Sequence, residues 1–198
     1  MDVGVAGVGL LVLSPMLALL GLAVRLVHGS PVLFSQERAG LSRRPFRIVK
    51  LRTMTDARGP DGALLADDRR LTRFGRFLRS SSLDELPELW NVARGDTTLV
   101  GPRPLPTSYL PRYTAREACR HEVRPGITGL AQVSGRNGLA WEERLELDVR
   151  YVETRSLGLD LRILARTVSQ VLRCAGINAE GHATMTELRP PVPGGRTI

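Results

Sequence analysis

The chain has 198 residues, of which 28 are basic and 20 acidic, giving a formal net charge of +8. This length suits one compact domain with an appendage, and the charge favours anionic partners such as phosphorylated substrates, lipid headgroups or nucleic acid. Aromatic residues make up only 5% of the sequence, which leaves few side chains to stack on the bases of single-stranded nucleic acid. No zinc-finger, RNP-like or basic-heptad motif is present in the sequence. We therefore expect no nucleic-acid partner.

Residues 3–24 carry no charged side chain, and Arg25 ends this apolar run. As an α-helix the run would extend about 33 Å, roughly one hydrocarbon thickness. Ser14 and Pro15 lie at its midpoint, where proline removes a backbone donor and is expected to kink the helix. The residues alone favour a kinked helix that spans the bilayer over a re-entrant helix that returns to the side it entered. Both interpretations leave the arginine-rich remainder in the cytoplasm.

The rest of the chain predicts an α+β fold that is mainly helical. The pattern predicts a β-hairpin with strands at residues 32–36 and 46–53. On its second strand, Ile48, Lys50 and Arg52 are expected to share one face. Residues 67–79 predict an amphipathic helix with an arginine-rich stripe, which suits a solvated face or docking at a membrane interface. The remaining predicted elements are a helix at 87–93, an irregular loop at 94–106, a helix at 109–121, an irregular glycine-rich segment at 125–138, and helices at 141–153 and 159–173.

Asp84 and Glu85 form an adjacent pair of carboxylates. One interpretation is structural, because Ser82 and Glu85 have the spacing of a helix capping box. Alternatively, a helix that begins at Pro87 would place the pair just ahead of its positive end, where phosphate or a metal-bound carboxylate is favoured. A divalent cation such as Mg²⁺ would relieve the repulsion between the two carboxylates, and an aspartate can act as a covalent nucleophile toward phosphorus.

Lys50 is the only lysine among the 28 basic residues. Such a residue is retained either by chance or because a compact, flexible ammonium is needed at that position. Together with Arg52, Arg79 and Arg103, it is a candidate to offset phosphate charge and stabilise a phosphoryl-transfer transition state. Taken singly, each arginine is more often an ordinary surface residue.

Seven segments, in the same order along nearly the whole chain, resemble the bacterial sugar transferase family, the monotopic phosphoglycosyl transferases. They are residues 29–32 (GSPV), 36–38 (QER), 50–54 (KLRTM), 83–92 (LDELPELWNV), 99–104 (LVGPRP), 124–129 (RPGITG) and 134–137 (SGRN). The resemblance implies transfer of a phosphosugar from a UDP-sugar to polyprenyl (undecaprenyl) phosphate, with release of UMP. This reaction is the first membrane step of glycoconjugate and polysaccharide assembly, at the cytoplasmic face of the bacterial inner membrane.

The resemblance also implies residue roles. Asp84 would be the nucleophile that forms a covalent phosphosugar intermediate in a ping-pong mechanism, Glu85 would assist in activating the lipid phosphate, and Mg²⁺ would bind at the pair. The proposed phosphate-side cations are Lys50, Arg52, Arg79, Arg103 and Arg136.

The family's Ser-Pro break matches Ser14-Pro15 and implies the re-entrant helix, which reverses the preference drawn from the residues alone. The expected organisation is a membrane anchor over 1–28, a cytosolic catalytic domain over 29–188 and a disordered tail over 189–198. Residues 176–184 resemble the small members that use UDP-N,N′-diacetylbacillosamine or related acetamido sugars, so an acetamido donor is expected. An oligomer is left open. Two hypotheses from other classes are a non-catalytic adaptor that binds anionic lipid and a membrane-tethered nucleic-acid binder; neither explains the carboxylate pair.

Overall fold

The computed structural model describes residues 2–135, 138–173, 188 and 190. The predicted α+β class is confirmed, since helices predominate around a β-hairpin and a second small sheet. The α-helices are α1 Asp2–His28, α2 Asp67–Arg70, α3 Arg73–Ser80, α4 Leu89–Ala93, α5 Ala115–Ala118, α6 Leu130–Gly135, α7 Trp141–Thr154 and α8 Leu157–Leu172. The strands are β1 Leu33–Ala39, β2 Pro45–Leu51, β3 Thr98–Val100 and β4 Gly126–Thr128.

Helix α1 runs from Asp2 to His28 and continues through the predicted break at Pro15. Proline cannot donate the bond that would reach the carbonyl of Leu11, four residues earlier. The Ser14 hydroxyl donates to that carbonyl instead, at 2.7 Å. The Ser-Pro pair therefore interrupts the backbone bonding of α1 and satisfies one of the freed groups without ending the helix.

Both ends of α1 contact the rest of the chain. At its start, the Asp2 carboxylate accepts a hydrogen bond from the backbone N–H of Leu99 at 3.2 Å. Near its end, Val24 is fully buried in a cluster with Leu51 and Leu78. Elsewhere most of its large apolar side chains are exposed, and the most apolar 18-residue window of α1 is only 6% buried. By length and composition it is the one described helix that could cross a membrane.

The predicted hairpin is confirmed, with a first strand that extends further than expected, to Ala39. Strands β1 and β2 are antiparallel, and their register sets Arg38 opposite Phe46, Gln36 opposite Ile48 and Phe34 opposite Lys50. Because side chains alternate between the faces of a strand, these six residues share one face of the hairpin. The end of β1 is tied to the loop after β3, since Ala39 donates its N–H to the carbonyl of Leu105 at 3.0 Å.

The helix predicted over 67–79 is wrong as a single element, because the chain leaves the helical conformation at Leu71 and Thr72. Leu71 forms a β-bridge with Met54, and the Thr72 hydroxyl accepts from Gly75 N–H at 2.9 Å as the N-cap of α3. Gly75 allows α3 to lie against the backbone of Thr53, where a Cβ would come within 1.9 Å of the Thr53 carbonyl oxygen.

The glycine-rich segment 125–138 was predicted to be irregular, and this was wrong. It contains β4, which pairs in parallel with β3, followed by α6. The loop predicted over 94–106 likewise contains β3. The two strands have three residues each, too short to show a periodic pattern. Their close approach depends on glycine, since a Cβ on Gly126 would lie 2.1 Å from the backbone nitrogen of Gly101.

Helices α7 and α8 were predicted within two residues of their observed bounds and complete the core, where Tyr151 and Ile163 pack with Val100. The segment predicted as one helix over 109–121 is instead three short pieces, the 3₁₀ turns Thr107–Arg112 and Cys119–His121 with α5 between them. The tail predicted to be disordered, and the segment 176–184 on which the acetamido sugar was based, lie outside the described ranges apart from residue 190.

Candidate active site

The paired carboxylates lie in a 3₁₀ turn, Leu83–Glu88, that leads directly into α4. The predicted helix start at Pro87 is wrong, because helical turns begin four residues earlier. The capping-box interpretation is also wrong, because Ser82 has a positive φ of 57° and its side chain makes no capping bond. The Glu85 side chain is therefore available for contacts with other parts of the chain.

Asn91 of α4 fixes this turn against the hairpin. Its side chain is 1% exposed, and its amide donates to the carbonyl of Arg47 at 2.7 Å while its oxygen accepts from the N–H of Val49 at 3.2 Å. The amide thereby bonds the backbone of β2 as a neighbouring strand would. Because Lys50 follows Val49 on β2, these bonds hold the Lys50 backbone close to the turn that carries the carboxylates.

The Glu85 carboxylate is held by two cations. Its Oε1 lies 2.6 Å from Lys50 Nζ and 2.7 Å from Arg103 Nη2. Burial alone would raise the pKa of Glu85, but the charges of Arg103 and Lys50 outweigh burial and hold it well below its usual range. Glu85 is therefore ionised at neutral pH, and it links the hairpin to the loop after β3.

Glu88 also contacts Lys50 and was not among the predicted site residues. Its Oε1 lies 2.9 Å from Lys50 Nζ, and its side chain is 3% exposed. Burial raises the pKa of Glu88 to about 7, although the charge of Lys50 opposes the rise. The signal in the sequence was the i, i+3 spacing of Glu85 and Glu88, which puts both carboxylates on one side of a helical turn.

The Asp84 carboxylate differs from both glutamates. It is 8% exposed, and no described residue donates a hydrogen bond to it. Burial and the neighbouring charge of Glu85 raise the pKa of Asp84 to about 6, against the lowering effect of Lys50, Arg79 and Arg103. The site thus contains a buried carboxylate that is surrounded by positive charge without being bonded to it.

Arg79 and Arg103 come from different elements, and the charges of both act on Asp84. Arg79, at the end of α3, donates from Nε to the Thr53 hydroxyl at 3.0 Å. Arg103 lies in the Gly-Pro-Arg-Pro loop, whose backbone is held by Arg120: its Nη2 donates to the Arg103 carbonyl at 2.6 Å and also lies 2.6 Å from Asp148. Arg120 and Asp148 are 2% and 1% exposed, so a buried ion pair that the sequence did not reveal positions Arg103.

Arg52 does not join the cluster. Its guanidinium donates to the carbonyls of Ser30 and Met54, at 2.9 Å each, and pairs with Asp56. These bonds tie the segment after α1 to the end of the hairpin, because β2 ends at Leu51 and Arg52 no longer follows the alternation of the strand. These contacts give Arg52 a structural role, and its phosphate contact stays a prediction. Arg136 lies outside the described residues.

The residues present are suited to a magnesium ion. Mg²⁺ is commonly held by one or two carboxylates together with substrate phosphates. The Asp84 carboxylate receives no bond from the described residues, and both cations on Glu85 contact Oε1, which leaves Oε2 for another ligand. The described residues contain no cluster of three or more acidic, histidine or cysteine side chains arranged to hold a metal by themselves, so phosphate oxygens would have to complete the coordination.

Comparison with known proteins identifies the family of this chain. The family model described as bacterial sugar transferase matches residues 1–174. A Bacillus subtilis (strain 168) protein named uncharacterized sugar transferase EpsL is 56% identical over 161 residues, covering 81% of this chain and 80% of the relative. A UDP-glucose:undecaprenyl-phosphate glucose-1-phosphate transferase of Caulobacter vibrioides is 46% identical over 182 residues, covering 87% of this chain and 68% of the relative.

An enzyme of the same name from Escherichia coli (strain K12) is 37% identical over 177 residues, which cover 84% of this chain but 38% of the longer relative. The match of the family model extends from α1 through α8 and includes every residue of the carboxylate cluster. The chain belongs to the bacterial sugar transferase family.

Proposed function

We propose that this protein transfers a phosphosugar from a UDP-sugar to undecaprenyl phosphate and releases UMP. The observation that carries the proposal is the buried, unbonded carboxylate of Asp84 amid the positive charges of Lys50, Arg79 and Arg103. Fixed cations of this kind stabilise the charge on transferring phosphoryl groups. The relatives from Caulobacter vibrioides and Escherichia coli are named for the same reaction with UDP-glucose.

In the proposed first step, an Asp84 oxygen attacks the β-phosphorus of the UDP-sugar. A bond forms between this oxygen and phosphorus, and the bond from phosphorus to the bridging oxygen breaks, so that UMP leaves with the electron pair. In the second step, an oxygen of the lipid phosphate attacks the same phosphorus and releases the Asp84 carboxylate. A covalent intermediate allows one site to bind a soluble donor and a lipid acceptor in turn.

Glu85 has two proposed roles in this cycle. Without substrate, it orients Lys50 and Arg103 toward the site. A phosphate that binds these two cations would draw their charge away from Glu85, so the pKa of Glu85 would rise toward its ordinary range. Glu85 would then be a better proton acceptor while the lipid phosphate is bound, which is when assistance is needed.

Asp84 and Glu85 are the residues that we propose to hold Mg²⁺. When bound, the ion would supply positive charge between the carboxylates and the substrate phosphates. Its proposed ligands from the protein are an Asp84 oxygen and Glu85 Oε2, because these oxygens are not occupied by the described cations.

We infer a hexose donor, UDP-glucose first among the candidates. The expectation of an acetamido sugar came from residues 176–184, and the relatives do not support it. Three of the relatives are named for UDP-glucose, and two others are named for galactose or UDP-galactose.

We further propose that the protein is monotopic at the cytoplasmic face of the inner membrane. The ends of a straight spanning helix lie about 30 Å apart on opposite sides of the bilayer. In this protein the Asp2 end contacts β3 while the other end packs on α3 and β2, which supports entry and exit on one side. Phe77 and Trp90, each 53% exposed, lie on helices beside α1 and could enter the same lipid layer.

The topology can be tested with single cysteines at the two ends of α1. In a background without Cys119 and Cys174, we expect Val3→Cys and Val27→Cys to be labelled by a membrane-impermeant maleimide in inside-out vesicles. Neither should be labelled in intact spheroplasts. Val12→Cys, in the middle of the helix, should be protected in both and serves as the control. Labelling of one end in each preparation would establish a spanning helix instead.

The raised pKa of Asp84 predicts how the metal-free site titrates. In protein kept free of divalent cations, the Asp84 carboxyl group should titrate near pH 6, whereas an unperturbed aspartate would titrate near pH 4. The measurement is the pH dependence of the carboxyl-carbon NMR shift, with Asp84→Asn to assign the signal. Glu88→Gln should leave the midpoint in place, whereas a midpoint that moves with this substitution would assign the titration to Glu88.

The function itself is tested by incubating reconstituted protein with undecaprenyl phosphate, Mg²⁺ and a panel of UDP-sugars. We expect UMP and a lipid diphosphosugar with UDP-glucose, and loss of both products when EDTA removes the metal. If no UDP-sugar of the panel gave UMP, in protein shown to be folded and membrane-inserted, the result would instead favour the hypothesis of a non-catalytic adaptor that binds anionic lipid.

A further inference from the structure

Lys50 and Arg103, which hold Glu85, also line an open pocket together with Arg38, and Glu88 is the carboxylate of this pocket. Asp84 and Glu85 are not among its lining residues. The enclosed space is small, so it suits one chemical group of a larger substrate.

The fold places two like charges, those of Arg38 and Arg103, in one pocket. Arg38 projects from the hairpin face that carries Lys50. It also forms a β-bridge with Pro106, at the end of the loop that contains Arg103. Burial and the charge of Arg103 lower the pKa of the Arg38 guanidinium, and the charge of Glu88 offsets this lowering only in part. The arrangement therefore costs free energy in the absence of a further anion.

Arg38 lacks the carboxylate partner that Lys50 and Arg103 have. Among the described residues, its one hydrogen-bond partner is a neutral amide: Nη2 donates to Gln36 Oε1 at 2.6 Å. Its buried Nε has no partner in the described part of the chain. A guanidinium presents its donors in a planar fork that matches phosphate. The unused donors of Arg38 are therefore suited to bind an oxyanion from outside the protein.

The carboxylate of Glu88 is compatible with an anion in this pocket. Its pKa of about 7 means that it takes up a proton readily when negative charge enters. Lys50 would then be free to turn from Glu88 toward the incoming group, while its bond with Glu85 persists. The pocket can therefore become more positive when an anion binds.

We propose that Arg38, with Lys50 and Arg103, forms a second phosphate site, separate from the carboxylate that attacks the donor. This inference rests on the proposed function, in which two phosphate groups must be held besides the one that is transferred: the phosphate retained by the leaving nucleotide and the phosphate of the lipid acceptor. Both sources present the same chemistry, and a binding experiment distinguishes them.

The experiment measures equilibrium binding of UMP, and separately of a short-chain polyprenyl phosphate in mixed micelles, to the full-length protein. The variant is Arg38→Gln, and Arg38→Lys keeps the charge if the first fails to fold. Arg47→Gln is the matched control, because Arg47 is exposed on the opposite face of the same hairpin. Thermal unfolding verifies that each variant is folded.

We expect a 10- to 100-fold weaker affinity for one probe in Arg38→Gln, roughly the effect of losing a charged hydrogen bond, and no change in Arg47→Gln. Weaker UMP binding alone assigns the site to the nucleotide phosphate, and weaker lipid binding alone assigns it to the acceptor. Weakening of both identifies a site used by each in turn. Unchanged affinity for both probes overturns the proposal. Because no turnover is measured, this result is independent of whether the wild type releases UMP from any UDP-sugar.

Discussion

Asp84→Asn is expected to lower the rate of UMP release at least about 10³-fold, because an amide cannot replace a carboxylate as the nucleophile. The substitution preserves shape, and no described residue donates to the carboxylate that it removes. It also removes a buried negative charge beside Glu85. We therefore expect the thermal unfolding midpoint to stay the same or to rise, so that lost activity cannot be attributed to lost structure.

The measurement is UMP release together with the intact mass of protein quenched after mixing with UDP-sugar. Wild-type protein should gain the mass of one phosphosugar, and the variant should gain none. Asp68→Asn is the matched control, since Asp68 is exposed on α2 and should leave both readouts unchanged. Undiminished UMP release by Asp84→Asn would preserve the transferase class but would exclude the covalent role of this aspartate.

The resemblance to a family implied roles for the residues of the cluster, but neither it nor the pattern of the residues predicted the contacts among them. Lys50, Glu85 and Arg103 come from a strand, a 3₁₀ turn and a loop that are separated along the chain. Only the fold brings the two cations within 2.7 Å of the Glu85 carboxylate. Alternation and helical spacing predict elements, and these residues meet through non-local packing that neither pattern encodes.

The elements that were missed have a common physical reason. Strands β3 and β4 form their backbone hydrogen bonds with each other, so three residues are enough to make each strand. A strand of this length shows no hydrophobic periodicity in the sequence. The break before α3 arises because Leu71 bridges Met54, again a partner distant in sequence. In contrast, α7 and α8 are long and amphipathic, and their local pattern was enough to predict them.

Arg52 and Glu88 show the same limit for side chains. Arg52 lies two residues after Lys50 and was predicted to share its face, but the strand ends between them and the guanidinium turns to backbone carbonyls. Glu88 was not among the predicted site residues, and a single carboxylate in a helix is usually solvated. Its 3% exposure follows from the position of α4 under the hairpin, which Asn91 fixes and which no property of Glu88 itself reveals.

Removal of the Lys50 ammonium is the second large effect that we expect. Lys50→Met leaves Glu85 with Arg103 alone and leaves Glu88 with no cation contact among the described residues. Removing one partner of a buried ion pair typically costs about 3–5 kcal/mol. Glu88 can relieve part of this cost by taking up a proton, so we expect about 3 kcal/mol, or roughly 6–12 °C in Tm for a chain of this size.

The pH dependence of this loss identifies its cause. A carboxyl group whose pKa is raised in the folded state contributes stability when protonated, and that contribution is lost as pH rises through the folded pKa. For Glu88 this pKa is about 7 in the wild type, and it should be higher without Lys50. The difference in Tm between variant and wild type should therefore be large at pH 8 and smaller at pH 5.5.

A compensating substitution separates stability from activity. In Lys50→Met/Glu88→Gln the unpaired carboxylate is gone, so most of the lost Tm should return and its dependence on pH should flatten. UMP release should remain at least about 10²-fold below wild type, because the amide restores packing but not the positive charge that faces the phosphates. If the double variant regained activity together with stability, Lys50 would act only as a structural partner of Glu88, and the phosphate contacts would have to come from Arg79 and Arg103.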